Sequence, residues 1–223
     1  MSLFRIDKDN TFQGPHQTLP LHQSGANLKE AKSAMIMIHG RGASPESILS
    51  LTNEIKHRKE ITFYAPEAHG FTWYPYSFLA PLEKNQPELN SAIQSIYNAI
   101  TVAENAGFSK DKIFILGFSQ GACLVAEYVA RHPDKYAGIF IFSGGLIGHR
   151  INEDSYTGNL QKTPIFIGCS DVDTHIPLQR IHKTDSILSS VNGDVTKVIY
   201  PNFGHTINKD EINHLNKIIS NRI

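Results

Sequence analysis

The chain has 223 residues, 40% of them hydrophobic and 19% charged, and its 21 basic side chains equal its 21 acidic ones. A chain of this length can bury roughly 70% of its unfolded surface, so we expect a single domain over residues 1–223. A formal charge of zero provides no field that would attract nucleic acid, which argues against a nucleic-acid partner. Two cysteines are too few for a disulfide scaffold.

The sequence shows no membrane-targeting pattern. Its longest apolar runs, such as residues 34–38, have about five or six residues. A helix that spans a bilayer needs about 20. The first residues turn polar at once, unlike a secretory signal. We therefore expect a cytoplasmic protein without a membrane span.

Short apolar runs alternate along the chain with longer segments of helical periodicity. Most runs are apolar on both faces, which is typical of parallel strands covered by helices on both sides. The predicted strands are residues 34–38, 61–64, 112–116, 138–142, 164–167 and 196–200. The predicted helices are residues 45–59, 89–107, 122–131, 178–191 and 210–219. The alternation predicts an α/β fold with a mostly parallel, doubly wound sheet.

Two long segments, 66–87 and 143–163, have neither pattern. Loops longer than about 15 residues in a compact domain are usually functional or disordered. We therefore expect substrate contacts from these segments, with packing on the core as the alternative interpretation. The candidate contacts are Trp73, Tyr74, Phe78, Leu79, Gly144 and Leu146.

A candidate nucleophile follows the predicted strand 112–116. Residues 117–121 read Gly-Phe-Ser-Gln-Gly and match the G-x-S-x-G pattern of a nucleophile elbow, and a helical pattern begins directly afterwards. An elbow needs this strand–turn–helix order, because the strained turn leaves room only for small neighbours. Gly117 and Gly121 meet that requirement, so Ser119 is the candidate nucleophile.

A serine nucleophile needs a base within about 3 Å and an acid that orients the base. With this motif the acid and then the base follow the serine in the chain. Asp171 and Asp173 come just after the predicted strand 164–167, and His205 comes after the predicted strand 196–200. We expect His205 to be the base, whereas the residues alone leave the two aspartates as equal candidates for the acid.

An oxyanion hole requires two backbone N–H groups beside the serine. One is expected from Gln120, at the positive end of the helix that follows the nucleophile. The second is expected from Arg41 in the early loop His39-Gly40-Arg41-Gly42, where glycines allow close approach of the backbone. An ordinary glycine-rich turn is the alternative interpretation of this loop.

Metal and nucleotide cofactors are not indicated. The sequence has no H-E-x-x-H, no Cys-x-x-Cys and no phosphate-binding glycine loop after a strand. Cys123 and Cys169 fall at positions where we expect packing residues. We therefore predict no metal site and no cofactor.

Taken together, these motifs resemble the phospholipase/carboxylesterase family of α/β-hydrolases, which includes acyl-protein thioesterases and small bacterial carboxylesterases. The resemblance extends from about Gly25 to His205 and implies an α/β-hydrolase fold with no large cap domain. The acid turn of the family reads D-x-D-x-x-V-P, and residues 171–177 read Asp-Val-Asp-Thr-His-Ile-Pro. Because the second aspartate of that turn is catalytic in the family, the resemblance selects Asp173 over Asp171.

The same resemblance assigns the nucleophile to Ser119 and the oxyanion donors to Gln120 and Arg41. Two positions depart from the family pattern: Ser170 stands where the family often has Gly, and Arg41 stands where the thioesterases usually have Leu.

The resemblance implies a serine esterase or thioesterase that cleaves small to medium apolar substrates through an acyl-enzyme. Its partner would be a small-molecule ester or thioester, and a homodimer is left open. One alternative is a hydrolase of lactones or ring-fission products with the same residues. The other is a non-catalytic α/β-hydrolase-like protein that binds a small ligand or a partner.

Overall fold

The computed structural model describes residues 4–9 and 11–223. Its strands are β1 (Leu21–Gly25), β2 (Ser33–Ile38), β3 (Ile61–Pro66), β4 (Ile113–Phe118), β5 (Gly138–Phe142), β6 (Pro164–Ser170) and β7 (Asp194–Tyr200). Its α-helices are α1 (Pro45–Leu49), α2 (Glu88–Asn105), α3 (Gln120–Arg131), α4 (Leu178–Ser190) and α5 (Lys209–Ser220).

The strands form one seven-stranded sheet in the order β1-β3-β2-β4-β5-β6-β7. β1 pairs antiparallel with β3, and all other neighbours pair in parallel. This confirms the predicted α/β fold with a mostly parallel sheet. Because β2 and β4 are neighbours, the loop after β2 and the turn after β4 leave the sheet side by side. Such points, at the carboxyl ends of parallel strands, are where α/β sheets usually bind ligands.

The two faces of the central strands carry different side chains. Isoleucines of β4, β5 and β6 face the layer of α2, α3 and α4, and phenylalanines of the same strands face the layer of α1 and α5. The isoleucines are Ile113, Ile115, Ile139, Ile141, Ile165 and Ile167, and the phenylalanines are Phe114, Phe140, Phe142 and Phe166. Side chains alternate between the faces of a strand, so this Ile/Phe alternation fills both layers of the core at once.

Two elements differ from the sequence prediction. The edge strand β1 was not predicted, because Leu21–Gly25 is polar and only partly buried and so lacks the apolar run of a central strand. The helix predicted over 45–59 ends at Leu49 and continues as a 3-10 turn over Ser50–Glu54. It stops there because Ile55 adopts an extended conformation and is buried.

The long segments 67–87 and 143–163 contain only short 3-10 turns, and within the described ranges they form no large cap over the sheet. No helix in the part of the chain that the structure describes is long and apolar enough to cross a membrane.

A buried carboxylate joins α5 to the sheet. Glu211 accepts a hydrogen bond from the Asn208 N–H at 2.7 Å in a capping box, and its side chain lies against Gly168 of β6. A Cβ at position 168 would lie 2.2 Å from Glu211 Oε1, so glycine makes room for the carboxylate. Burial raises the pKa of Glu211 to about 7, although the Asn208 N–H opposes the shift.

We predict that Glu211→Gln makes the protein more stable at about pH 8 and changes little at about pH 5. A raised pKa in the folded state contributes stability at low pH that is lost as the pH rises towards about 7. The amide retains the capping acceptor without the buried charge, and the expected gain in unfolding free energy at about pH 8 is about 2 kcal/mol. Urea unfolding at both pH values measures it. The exposed Glu104→Gln is the matched control, and a gain that does not depend on pH would contradict the prediction.

Candidate active site

Ser119 occupies the turn between β4 and α3. Its φ of 55° and ψ of −119° are unusual for a residue other than glycine. The Ser119 N–H donates to Phe142 O of β5, and the Cys123 N–H donates to Ser119 O, both at 3.0 Å. A Cβ at Gly121 would lie 2.2 Å from Ile38 O, so glycine is required for α3 to begin this close to β2.

His205 and Asp173 lie in the loops after β7 and β6, at the same edge of the sheet. His205 Nε2 is 2.8 Å from Ser119 Oγ, and His205 Nδ1 is 2.7 Å from Asp173 Oδ2. The structure therefore brings the three predicted residues into one hydrogen-bonded chain. A proton on Nδ1, facing the carboxylate, leaves the Nε2 lone pair directed at the serine hydroxyl.

The surroundings of Asp173 keep it ionised. Its side chain has no solvent exposure, and Oδ1 accepts hydrogen bonds from the N–H groups of His175 at 2.8 Å and Ile176 at 3.0 Å. Burial alone would raise the pKa of Asp173. The hydrogen bonds from His205 and from the two N–H groups outweigh burial and hold that pKa below its ordinary value.

Asp171, the other aspartate of the acid turn, contacts a different group. Its Oδ1 accepts a hydrogen bond from the Asn202 N–H at 2.8 Å. The backbone of the loop after β7, and not the imidazole of His205, is therefore its partner. The geometry separates two aspartates that the residues alone left equal.

The loop after β2 lies directly against Ser119, the candidate nucleophile. A Cβ at Gly40 would be 3.3 Å from Ser119 Cβ. Arg41 follows Gly40, and Gln120 follows Ser119, so the two candidate oxyanion donors come from segments in contact. Gln120 begins α3, where N–H groups lack acceptors within the helix and the helix dipole is positive.

The Arg41 side chain attaches this loop to the aromatic segment 72–78. Its Nη1 donates to Pro75 O at 3.0 Å, and its Nη2 donates to Tyr74 O at 2.8 Å and to Tyr76 O at 2.9 Å. The guanidinium thus makes hydrogen bonds to three consecutive carbonyl groups.

The Gln120 side chain also makes hydrogen bonds to this segment. Its Oε1 accepts from the Trp73 N–H at 3.0 Å, and its Nε2 donates to Tyr74 O at 2.9 Å. The amide is buried, so these hydrogen bonds are shielded from water. The residue proposed to supply an oxyanion N–H therefore also fixes a wall of the site.

A cavity of about 400 Å³ opens beside Ser119, within the usual range for small-molecule sites. The candidate contacts Tyr74 and Phe78 line it. The complete lining is Arg41, Tyr74, Pro75, Tyr76, Ser77, Phe78, Ser119, Gln120, Cys123, His175, Ile176 and His205.

Four of the candidate substrate contacts do not line this cavity and fit the alternative expectation, packing on the core. Trp73 is fully buried, and its indole N–H donates to His39 O at 2.9 Å, so it supports the loop after β2 from inside the protein. Leu79 is partly buried against the core.

The other two, Gly144 and Leu146, belong to the segment after β5. A Cβ at Gly144 would lie 2.4 Å from Ala122 Cβ, so the backbone packs directly on α3. Leu146 is fully buried, and its N–H donates to Thr184 Oγ1 at 3.0 Å. This segment thus supports α3 and α4 instead of lining the cavity.

Several lining residues were not predicted as contacts. His175 and Ile176 lie two and three positions after Asp173, and the hydrogen bonds from their N–H groups to its carboxylate curl the turn beside the site. Their short distance in sequence from Asp173 could have identified them as neighbours of the site. Cys123, expected to be a packing residue, is buried and also lines the cavity. Burial raises the pKa of its thiol to about 12, so it is not a thiolate near neutral pH.

Among residues 4–9 and 11–223, no group of three or more His, Cys, Asp or Glu side chains is placed to hold a metal ion.

Comparison with known proteins gives a consistent result. The family model described as phospholipase/carboxylesterase matches residues 25–223. A solved structure described as a phospholipase/carboxylesterase from Dyadobacter fermentans is 40% identical. The match covers 90% of this chain and 96% of that chain, with a TM-score of 0.87. The chain thus has the α/β-hydrolase fold.

More distant relatives carry related names. Acyl-protein thioesterase 1 of Debaryomyces hansenii is 27% identical over 88% of this chain and 94% of its own length. Lysophospholipase-like protein 1 of Mus musculus is 26% identical over 86% of this chain and 87% of its own length.

We predict that Arg41→Met loosens the 72–78 segment, because it removes the hydrogen bonds to the three carbonyl groups. The expected loss in unfolding free energy is about 1–2 kcal/mol, with faster chymotrypsin cleavage after Tyr76. Thermal unfolding and mass analysis of the fragments measure both effects. The exposed Arg58→Met, which loses one hydrogen bond to Asn53, is the matched control. Equal cleavage in the two variants would refute the prediction.

Proposed function

Since the chain belongs to the phospholipase/carboxylesterase family, we propose that it is a serine hydrolase that cleaves carboxylic esters or thioesters through an acyl-enzyme on Ser119. The observation that carries the proposal is the hydrogen-bonded chain from Asp173 through His205 to Ser119, with distances of 2.7 and 2.8 Å. A serine hydroxyl is a weak nucleophile, and this arrangement is one that activates it.

In the first step, Ser119 Oγ attacks the carbonyl carbon of the substrate while His205 Nε2 takes the hydroxyl proton. Asp173 remains ionised and stabilises the imidazolium through the hydrogen bond at Nδ1. The lowered pKa of Asp173 supports this role, because the carboxylate stays charged at the pH where the imidazole accepts a proton.

The negative charge that develops on the carbonyl oxygen is stabilised by the N–H groups of Arg41 and Gln120. Each such donor contributes about 3 kcal/mol to the transition state in serine hydrolases. Collapse of the tetrahedral intermediate passes the proton from His205 to the alcohol or thiol that leaves. The acyl group then remains on Ser119.

Water completes the cycle. His205 takes a proton from a water molecule that attacks the acyl carbon, and the second intermediate releases the carboxylic acid and regenerates Ser119. The side chain of His205 is 19% exposed, so water can approach the imidazole from the side of the cavity.

We predict that a fluorophosphonate probe labels Ser119, and that Ser119→Ala reduces both labelling and ester hydrolysis by at least about 1,000-fold. Mass spectrometry of the labelled peptide identifies the site. The exposed Ser189→Ala serves as the control and should be labelled at the normal rate. If the parent protein is not labelled, the non-catalytic binding protein becomes the better hypothesis.

For the substrate, we propose an uncharged ester or thioester with a small to medium apolar acyl group. Tyr74, Phe78 and Ile176 give the cavity apolar walls. Arg41 is the one lining residue with a permanent charge, and its guanidinium makes hydrogen bonds to carbonyl groups of the protein. Three of its N–H donors are therefore occupied in holding the wall and are not available for a bidentate contact with a substrate carboxylate.

A series of nitrophenyl esters from acetyl to decanoyl tests this assignment. We expect kcat/KM to be highest for an uncharged short or medium chain, and at least about tenfold lower for a hemisuccinate of similar length, because burying an unpaired carboxylate is unfavourable. A matched thioester and a lactone of equal carbon number separate the remaining substrate classes. Fastest turnover of the anionic ester would contradict the proposal, and fastest turnover of the lactone would favour that alternative.

A further inference from the structure

The strands that lead to the acid and the base end side by side. β6 ends at Ser170 and β7 at Tyr200, and these two residues are register partners in the sheet. One further backbone hydrogen bond, from the Asp171 N–H to Tyr200 O at 3.1 Å, joins the two segments. Beyond it the strand hydrogen bonds end, so they do not fix the position of Asp173 relative to His205.

The Ser170 hydroxyl lies between the two loops. Ser170 Oγ accepts hydrogen bonds from the Val172 N–H at 3.2 Å, the Phe203 N–H at 3.2 Å and the Gly204 N–H at 3.1 Å. Val172 immediately precedes Asp173, and Gly204 immediately precedes His205. One buried hydroxyl therefore contacts the backbone just before both residues.

The loop after β7 has little apolar packing of its own. The Phe203 side chain is 42% exposed, and Asn202 and Gly204 both have positive φ. The hydrogen bond from the Asn202 N–H to Asp171 is a second connection to the acid turn, at an exposed position where water competes with it. Ser170 supplies the buried connection.

We propose that Ser170 is a positioning residue. Its hydroxyl oxygen accepts hydrogen bonds from the two loops that carry the acid and the base, and this aligns His205 with Asp173 and Ser119. The inference rests on the proposed function for its catalytic consequence. Without the hydroxyl, the Phe203 and Gly204 N–H groups must form hydrogen bonds to water instead. The loop then samples positions in which the distance from Nε2 to Oγ is too long for proton transfer.

Ser170→Ala is the direct test, with Ser33→Ala as the matched control. Ser33 is a buried serine at the start of β2, whereas the candidate site lies beyond the other end of that strand. Its hydroxyl has no hydrogen-bond partner within the described part of the chain. We expect Ser170→Ala to lower kcat about tenfold with little change in KM, and Ser170→Thr to recover activity because it keeps Oγ. Ser33→Ala should leave both constants unchanged.

Two further measurements separate alignment from a general loss of stability. In a His205→Ala background, Ser170→Ala should change the residual rate by less than about twofold, because Ser170 acts through His205. Amide hydrogen exchange at Phe203 and Gly204 should become about tenfold faster in Ser170→Ala and stay unchanged in Ser33→Ala.

Full activity of Ser170→Ala, or an equal rate loss with and without His205, overturns the inference while the proposed function stands. If the parent protein itself shows no turnover and no labelling, the proposed function fails together with the catalytic part of the inference. Hydrogen exchange then still decides whether Ser170 joins the loops, because it does not depend on activity.

Discussion

The contact between the start of α3 and the end of β2 controls the geometry of the candidate active site. Gly121 lies so close to Ile38 O that a side chain cannot fit between them. The turn that carries Ser119 is consequently pressed against Gly40, and Ser119 is held in an unusual backbone conformation by hydrogen bonds to its neighbours. Ser119 and both candidate oxyanion donors share one small space because of this approach.

Different forces fix the sheet and the loops at its edge. The strands are positioned by two apolar layers, isoleucine on one face and phenylalanine on the other, and such packing is dense and hard to displace. The loops at the site are positioned by directed hydrogen bonds between side chains and backbone groups: Arg41 and Gln120 donate to carbonyl oxygens, and Asp171 accepts from a backbone N–H. The packed core thus fixes the position at which each loop leaves the sheet. The hydrogen bonds of these polar side chains fix the conformation of the loop.

The order of the central strands and helices and the position of Ser119 in a strand–turn–helix were predictable because they depend on local patterns. Apolar runs of strand length and the position of Ser119 between a strand and a helix are visible in the sequence. The choice between Asp171 and Asp173 was not visible in the residues, because both follow the same strand and only the curl of the turn decides which carboxylate meets the imidazole.

For the same reason, the sequence predicts only part of which residues in the long segments face the cavity. Tyr74 and Phe78 line the cavity, whereas Trp73, equally aromatic and adjacent in sequence, points into the core. An irregular segment has no periodicity from which the direction of a side chain can be inferred. The edge strand β1 was missed because it is only partly buried and its sequence is mostly polar.

The exposed loop after β7 has a consequence for how the protein would fail under stress. Residues 201–203 are exposed, and the loop is joined to the acid turn through hydrogen bonds to Ser170 and Asp171. Segments with few apolar contacts open locally at a smaller free-energy cost than the global unfolding of a core. In mild denaturant His205 can therefore detach while the sheet remains folded, and under the proposed function an assay of turnover would report a lower midpoint than circular dichroism does.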